Sequence, residues 1–249
     1  MLEVKGLCKY FGGIRAVDDC TFTAEEGQIT ALIGPNGAGK TTAFNCVSRT
    51  MMPTRGEVWL DGRRIDRLRP HKITGMGLSR TFQISRNLAD MTVLENVIAQ
   101  AQVRGWRDLF RPAMSAAEID KAMGILDFLG ITRIAHEDGS NLSYGQKKLM
   151  DLAALLMSDP KIILLDEPAG GVNLSLLEEI IGHIRKLNEA GLTVLIVEHN
   201  MDLIMRLSHK VVVMAQGAII AEGTPEEVRA DPAVLDAYLG STLDEEEAA

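Results

Sequence analysis

Gly34-Pro35-Asn36-Gly37-Ala38-Gly39-Lys40-Thr41 is a glycine-rich octapeptide of the form GxxxxGK[ST], which we call the phosphate loop. It follows the compact apolar run Ile29–Ile33, and we expect a helix to begin near Lys40. The glycines of such a loop let backbone N–H groups turn inward around phosphates, and the helix N-terminus adds a partial positive charge. We therefore predict a nucleotide site in which Lys40 reaches the β- and γ-phosphates and the Thr41 hydroxyl binds Mg²⁺.

Two further apolar runs end in polar side chains. The run at 161–165 is followed by Asp166 and Glu167, and the run at 193–197 is followed by Glu198 and His199. Short strands that alternate with helices form a mainly parallel sheet, whose ligands lie beyond the carboxyl ends of the strands. The sequence thus predicts an α/β fold in which these side chains and the phosphate loop converge on one edge.

Asp166 and Glu167 are two adjacent acids at the end of a strand that is otherwise apolar. A buried strand does not carry two carboxylates unless its end meets water, a metal or a cation. In a chain without a phosphate loop, a solvated strand end would be the better interpretation. Downstream of one, Asp166 suits a ligand of Mg²⁺, direct or through water, and Glu167 is placed to activate the water that attacks the γ-phosphate.

The rest of the chain divides into three regions. The apolar runs 211–215 and 218–221 flank a hairpin turn at 216–217. The stretch 89–140 is rich in helix formers, and we expect a helical subdomain at about 89–158 within a single domain of residues 1–240. The remaining residues, 241–249, form an acidic tail.

Composition excludes several classes of protein. The formal net charge of -8 argues against binding to a nucleic-acid backbone. Cys8, Cys20 and Cys46 form no CxxC pair, which favours reduced cytosolic thiols over disulfides or a zinc site. No apolar run approaches the roughly 20 residues that cross a bilayer. We expect a soluble chain whose membrane role comes through a partner.

Asn141-Leu142-Ser143-Tyr144-Gly145-Gln146 precedes the run at 161–165 and opens a helical pattern. This segment resembles the LSGGQ signature of the ABC ATPases, and the resemblance extends over nearly the whole chain. It implies a P-loop NTPase core with an N-terminal antiparallel β region and an inserted helical subdomain. It also implies that Ser143, Gly145 and Gln146 contact, in trans, the ATP bound to an opposite subunit.

The same resemblance assigns other positions. Phe11 is at the spacing of the aromatic residue that stacks on adenine, with the adjacent Tyr10 ranked second. Gln83 looks like the glutamine that contacts Mg²⁺ and water and senses the transporter partner, and His199 like the histidine that contacts the γ-phosphate. The cofactors implied are ATP and Mg²⁺. The resemblance implies that Mg²⁺ is bound by Thr41, Gln83 and Asp166. It also implies that the catalytic residues are Glu167, His199 and Gln83. ATP would bind in cis at Phe11, Asn36, Gly37, Ala38, Gly39, Lys40, Thr41 and Thr42.

Two departures from the broad family pattern stand out. Tyr144 replaces the commonest glycine of the signature, and the D-loop reads Ala169-Gly170-Gly171-Val172-Asn173, with Asn173 at the position of an aspartate. Both are similar to the branched-chain amino acid importer ATPases of the LivG type, as are GLSRTFQ, NVIAQAQ, the insertion 104–112 and the ending GTPEEV…YLG. The subfamily implies import of branched-chain, hydrophobic amino acids.

The implied partners are a second ABC ATPase subunit (in a homodimer or a LivF-like heterodimer), two transmembrane permeases and, indirectly, a periplasmic or extracellular binding protein. The protein would lie peripherally on the cytoplasmic face of the cell membrane. A regulatory GTPase is disfavoured because no NKxD-like motif is present. A non-transport ABC ATPase is disfavoured because there is no room for a long coiled coil and only one nucleotide domain. Another cargo, such as urea or lipopolysaccharide, stays open.

Overall fold

The structure, a computed structural model, describes residues 1–80, 88, 90–101 and 114–238. The predicted site residue Gln83, the insertion 104–112 and the acidic tail lie outside these residues. No helix among the described residues is long and apolar enough to cross a membrane.

A four-stranded antiparallel sheet forms the N-terminal part, in the order β2-β1-β4-β5. Its strands are Leu2–Phe11 (β1), Ile14–Ala24 (β2), Arg55–Leu60 (β4) and Arg63–Arg64 (β5). Phe11 pairs with Ile14 across the two-residue Gly12-Gly13 turn, so the hairpin ends beside an exposed aromatic ring. The expected antiparallel N-terminal region is confirmed.

A six-stranded sheet in the order β10-β9-β3-β8-β7-β6 forms the centre. Its strands are Ile29–Ile33 (β3), Leu78–Arg80 (β6), Ile162–Asp166 (β7), Thr193–Val197 (β8), Lys210–Ala215 (β9) and Ala218–Gly223 (β10). All neighbours are parallel except β9 and β10, which are joined by the predicted turn at Gln216 and Gly217. Gln216 and Gly217 both have positive φ, 48° and 84°, as a tight hairpin requires.

The helices lie on both sides of this sheet. They are Lys40–Val47 (α1), Pro70–Thr74 (α2), Val93–Ile98 (α3), Ala116–Phe128 (α4), Tyr144–Leu156 (α5), Leu174–Glu189 (α6), Met201–Leu207 (α7) and Pro225–Ala230 (α8). Helices α3, α4 and α5 contact one another and lie between β6 and β7 in the chain, as expected for the inserted helical part of the fold.

Two apolar clusters form the core, one on each face of the central sheet. In β3, Ile29, Ala31 and Ile33 face the cluster that includes α3 to α7, whereas Leu32 faces the cluster with α1 and the antiparallel sheet. Because both faces are covered, β3, β7 and β8 are buried throughout and read as continuous apolar runs.

Strand β7 begins and ends one residue later in the chain than the predicted run 161–165. Lys161 precedes β7, and Asp166 pairs with Val197 as the last residue of β7. Asp166 is therefore a buried strand residue, and Glu167 alone begins the loop that follows.

Candidate functional site

The phosphate loop lies between β3 and α1, as predicted. A Cβ atom at Gly34 would lie 2.0 Å from the Met214 carbonyl oxygen, and one at Gly39 would lie 2.1 Å from that of Ala16. Both glycines are thus required by close backbone packing. At Gly37, where φ is 75°, a Cβ would meet nothing within 4 Å. The backbone of this loop is open toward a ligand at the tip and tightly packed at both ends.

Lys40 directs its ammonium group along the inside of this loop. Its Nζ donates to the carbonyl oxygens of Gly34 at 2.7 Å and Pro35 at 2.9 Å. Burial lowers the pKa of Lys40, while the negative charge of Glu167 opposes the shift. The structure thus brings Lys40 and Glu167, 127 residues apart in the sequence, into one electrostatic environment.

Glu167 has an unusual backbone conformation at the end of β7. Its φ is 45°, in the left-handed region that a residue other than glycine rarely adopts, and its N–H donates to the Val197 carbonyl oxygen of β8 at 2.9 Å. Strained residues of this kind cluster at functional sites, where the surrounding structure holds them in place. Here the hydrogen bond to the neighbouring strand holds the Glu167 backbone in this conformation.

His199 and Glu198 follow β8 on the same edge. Nδ1 of His199 lies 4.0 Å from Oε1 of Glu167, and the imidazole is exposed. Glu198 is completely buried, and its carboxylate accepts hydrogen bonds from the backbone N–H groups of Ala169 at 2.8 Å and His199 at 3.1 Å. The sequence analysis did not assign Glu198 to the site, although an acid closing a buried strand was the available signal.

Arg80 is a second residue that the sequence analysis missed. Its guanidinium donates to Asp166 Oδ2 at 2.8 Å, to Asn45 Oδ1 of α1 at 2.6 Å and to Oγ of Ser48, the C-cap of α1, at 2.7 Å. It also stacks over the Phe44 ring at 4.7 Å, and burial lowers its pKa. Arg80 therefore joins the helix after the phosphate loop to the buried carboxylate of β7.

Ser143 caps the N-terminus of α5 in a reciprocal capping box. Its Oγ accepts from the Gln146 N–H at 3.3 Å, and its own N–H donates to Gln146 Oε1 at 2.8 Å. A Cβ at Gly145 would lie 2.2 Å from Leu176 Cδ2, so this glycine lets α5 approach α6. Asn173, at the position expected to depart from the family pattern, caps α6 by accepting from the Leu176 N–H.

The two candidate aromatic residues differ in their surroundings. Phe11 is 46% exposed at the end of β1, with Lys9 Nζ 5.0 Å from its ring centroid. The Tyr10 hydroxyl donates to Asp18 Oδ1 at 2.6 Å, and Arg15 lies over the Tyr10 ring. Tyr10 is thus engaged within the hairpin, whereas much of the Phe11 ring is exposed.

The donor chemistry of this edge fits Mg²⁺ bound together with a nucleotide. Among the described residues no three His, Cys, Asp or Glu side chains cluster to hold a metal alone. Mg²⁺ at nucleotide sites takes one or two protein ligands and completes its shell with phosphate oxygens and water. Thr41 is exposed in the first turn of α1 and Asp166 is the last residue of β7, so the two residues supply a hydroxyl and a carboxylate.

Comparison with known proteins gives consistent results. The profile of the ABC transporter family matches residues 17–170, and that of the branched-chain amino acid ATP-binding cassette transporter matches residues 218–243. The chain is 41% identical to the high-affinity branched-chain amino acid transport ATP-binding protein BraF of Pseudomonas aeruginosa, covering 96% of this chain and 98% of the relative. It is 39% identical to LivG of Salmonella typhimurium, with the same coverage.

Solved structures agree with these sequence matches. A nucleotide-free ATP-binding cassette from an ABC transporter superposes with a TM-score of 0.86 at 32% identity, and the ADP conformation of such a cassette does so with 0.86 at 34%. Both comparisons cover 96% of this chain and 98% of the other. A dimeric cassette in a post-hydrolysis state, bound to ADP and Pi, has a TM-score of 0.78 at 27% identity and covers 90% of this chain and 99% of the other.

Proposed function

Since this chain belongs to the ABC transporter family, as an ATP-binding subunit with ATPase activity, we propose that it powers the import of branched-chain amino acids. Two observations support this cargo. Relatives that match almost the whole chain are named as branched-chain amino acid transport proteins, and the C-terminal residues 218–243 match the profile of that transporter class. The proposed nucleotide-binding domain comprises residues 1–240, with the helical subdomain at about 89–158.

One observation carries the proposed site: Glu167 lies 4.0 Å from His199 and in the electrostatic environment of Lys40. The phosphates would lie against the backbone of the phosphate loop, at Asn36, Gly37, Ala38, Gly39, Lys40, Thr41 and Thr42. Phe11 would stack on the adenine.

In the proposed mechanism Glu167 orients the attacking water and accepts its proton, and His199 contacts the γ-phosphate. Lys40 neutralises charge on the phosphates, with phosphate oxygens replacing the loop carbonyls as acceptors. Mg²⁺, when bound through Thr41 and Asp166, would neutralise the β- and γ-phosphate oxygens. Gln83, which lies outside the described residues, is proposed as a further ligand of Mg²⁺. Catalysis then comes from positioning and from electrostatic stabilisation by groups already in place.

A complete site needs a second subunit. Ser143, Gly145 and Gln146 lie at the exposed N-terminal turn of α5, where backbone N–H groups and the helix dipole favour an anion. We place them on the γ-phosphate of ATP bound to the partner. The solved cassette in a post-hydrolysis state is dimeric, which supports the pairing of two such subunits. The partner would be a second copy of this chain or a LivF-like ATPase.

The other proposed partners are two transmembrane permeases and, through them, a periplasmic or extracellular binding protein, with this subunit on the cytoplasmic face of the membrane. A pull-down of the tagged chain from membranes, with the copurifying proteins identified by mass spectrometry, tests this. Recovery of two polytopic permeases and a related ATPase supports the proposal. Recovery of permeases for urea or lipopolysaccharide, or of no membrane protein, would overturn the proposed cargo but would not affect the assignment as an ATPase.

A further inference from the structure

Tyr144, one of the two departures in the signature, contacts the other departure directly. Its hydroxyl donates to the Gly170 carbonyl oxygen at 3.0 Å. A Cβ at Gly171, where φ is 71°, would lie 3.2 Å from Cε1 of the Tyr144 ring. The tyrosine of the signature and the paired glycines of the D-loop are therefore in direct contact: Gly170 accepts the hydrogen bond, and Gly171 leaves room for the ring.

Lys148 makes a second connection from the next turn of α5. Its Nζ donates to the Glu167 carbonyl oxygen at 3.3 Å and lies 5.5 Å from the centroid of the Tyr144 ring. Residues four apart on a helix share a face, so both side chains reach the loop from the same direction. They bind the two ends of residues 167–170, which we call the Glu167 loop.

The Glu167 loop is also held from the opposite side and from within. Glu198 accepts from the Ala169 N–H at 2.8 Å, and the Gly170 N–H donates to the Glu167 carbonyl oxygen at 3.0 Å. The loop thus has a fixed support at β8 and a second support on α5. A displacement of α5 would be transmitted to the backbone of Glu167.

We propose that Tyr144 and Lys148 are positioning residues that connect the signature helix to the Glu167 loop of the same chain, so that contact of Ser143 with the partner's nucleotide aligns Glu167 on this chain's own nucleotide. This inference rests on the proposed function. It makes hydrolysis at one site depend on occupancy of the other through contacts within a single subunit.

The test measures steady-state ATP hydrolysis, ATP affinity and thermal stability of the full chain carrying Tyr144→Phe or Lys148→Met. Each variant removes one hydrogen bond, so kcat should fall by about three- to tenfold. KM for ATP and Tm should stay at the wild-type values, because both side chains are at least partly exposed and neither is placed on this chain's own nucleotide. Lys148→Arg, which keeps a donor, should recover most of the rate. Lys147→Met is the matched control on the same helix and should leave all three quantities unchanged.

A purely structural role would instead lower Tm, and a direct nucleotide contact would raise KM; either result, or an unchanged kcat, would overturn the inference. In a Glu167→Gln background, Tyr144→Phe should cause no further loss, since it acts through Glu167. If the fold reductions in kcat caused by Glu167→Gln and Tyr144→Phe instead multiply in the double variant, the inference is also overturned. If the proposed site itself is wrong, the Glu167→Gln variant by itself will hydrolyse ATP at the normal rate. That result would overturn both proposals, and it is distinct from the results that overturn this inference alone.

Discussion

The guanidinium of Arg80 and the carboxylate of Asp166 form a buried ion pair, joined by a 2.8 Å hydrogen bond between residues 86 positions apart. The side chains are 8% and 1% exposed. Asp166 is proposed to help hold Mg²⁺, so the pair would lie beside the bound cofactor. Arg80 also directly precedes the segment that carries Gln83.

Replacing Arg80 by Met should destabilise the protein by about 3–5 kcal/mol, because Asp166 would be left as a buried charge without this partner. Urea unfolding without nucleotide measures the change. The double variant with Asp166→Asn should recover part of the loss. Arg63→Met, at an exposed position, serves as the control and should change stability by less than about 0.5 kcal/mol. A loss below about 1 kcal/mol for Arg80→Met would contradict this interpretation.

Glu167→Gln should slow hydrolysis by about a hundredfold or more while ATP binding persists, because the proton acceptor is lost and the side-chain size is kept. Phosphate release and equilibrium nucleotide binding together separate the two effects. The exposed Glu189→Gln serves as the control. Near-normal turnover of Glu167→Gln would remove Glu167 from the catalytic role.

Lys40→Ala should weaken ATP binding by about tenfold or more, since charge-assisted hydrogen bonds to the phosphates are lost. Isothermal titration calorimetry measures the dissociation constant, with the exposed Lys72→Ala as the control. An unchanged dissociation constant would be incompatible with Lys40 contacting the phosphates.

Phe11→Ala should lose stacking worth about 1–3 kcal/mol of ATP binding. Tyr10→Phe removes only the hydrogen bond to Asp18 and should leave the affinity unchanged. The same calorimetric titration distinguishes them. If Tyr10→Ala weakens binding and Phe11→Ala does not, the stacking residue is Tyr10.

His183 should make the protein less stable in mild acid. It is buried on α6 against the Phe128 ring, and burial lowers its pKa despite the opposing charge of Glu179. Because its folded-state pKa lies below that of the unfolded chain, the unfolded chain binds more protons between the two values. The stability from neutral His183 is therefore complete above pH about 6.5 and falls as the pH drops below it.

Thermal unfolding between pH 5 and 8 tests this prediction. His183→Gln should flatten the profile below pH about 6.5, whereas the exposed His71→Gln should leave it unchanged. A His183→Gln profile with the wild-type slope would show that other groups cause the pH dependence.

Much of the fold could be predicted from local patterns. The apolar runs that became β3 and β8 have the predicted bounds, because strands buried on both faces leave a continuous hydrophobic signature. The phosphate loop and the helix opened by the segment 141–146 could also be predicted, since loop geometry and helix initiation depend on neighbouring residues. The site roles of Glu167 and His199 remain predictions.

Contacts between distant segments could not be predicted from the sequence. The sequence analysis noted Tyr144 and the D-loop glycines as separate departures and assigned no role to Arg80 or Glu198. Their partners depend on the strand order β3-β8-β7-β6 and on how α5 and α6 pack against this sheet.

The sequence by itself determined the fold class and most of the strands and helices, and it predicted which residue types carry phosphate chemistry, because those properties follow from side-chain chemistry and short-range periodicity. Only the tertiary structure decided that Asp166 is paired with Arg80 and that Tyr144 holds the Gly170 carbonyl. Such pairs are set by distances of a few ångströms between elements far apart in the chain. Those distances exist only once the apolar faces of the elements are buried against one another.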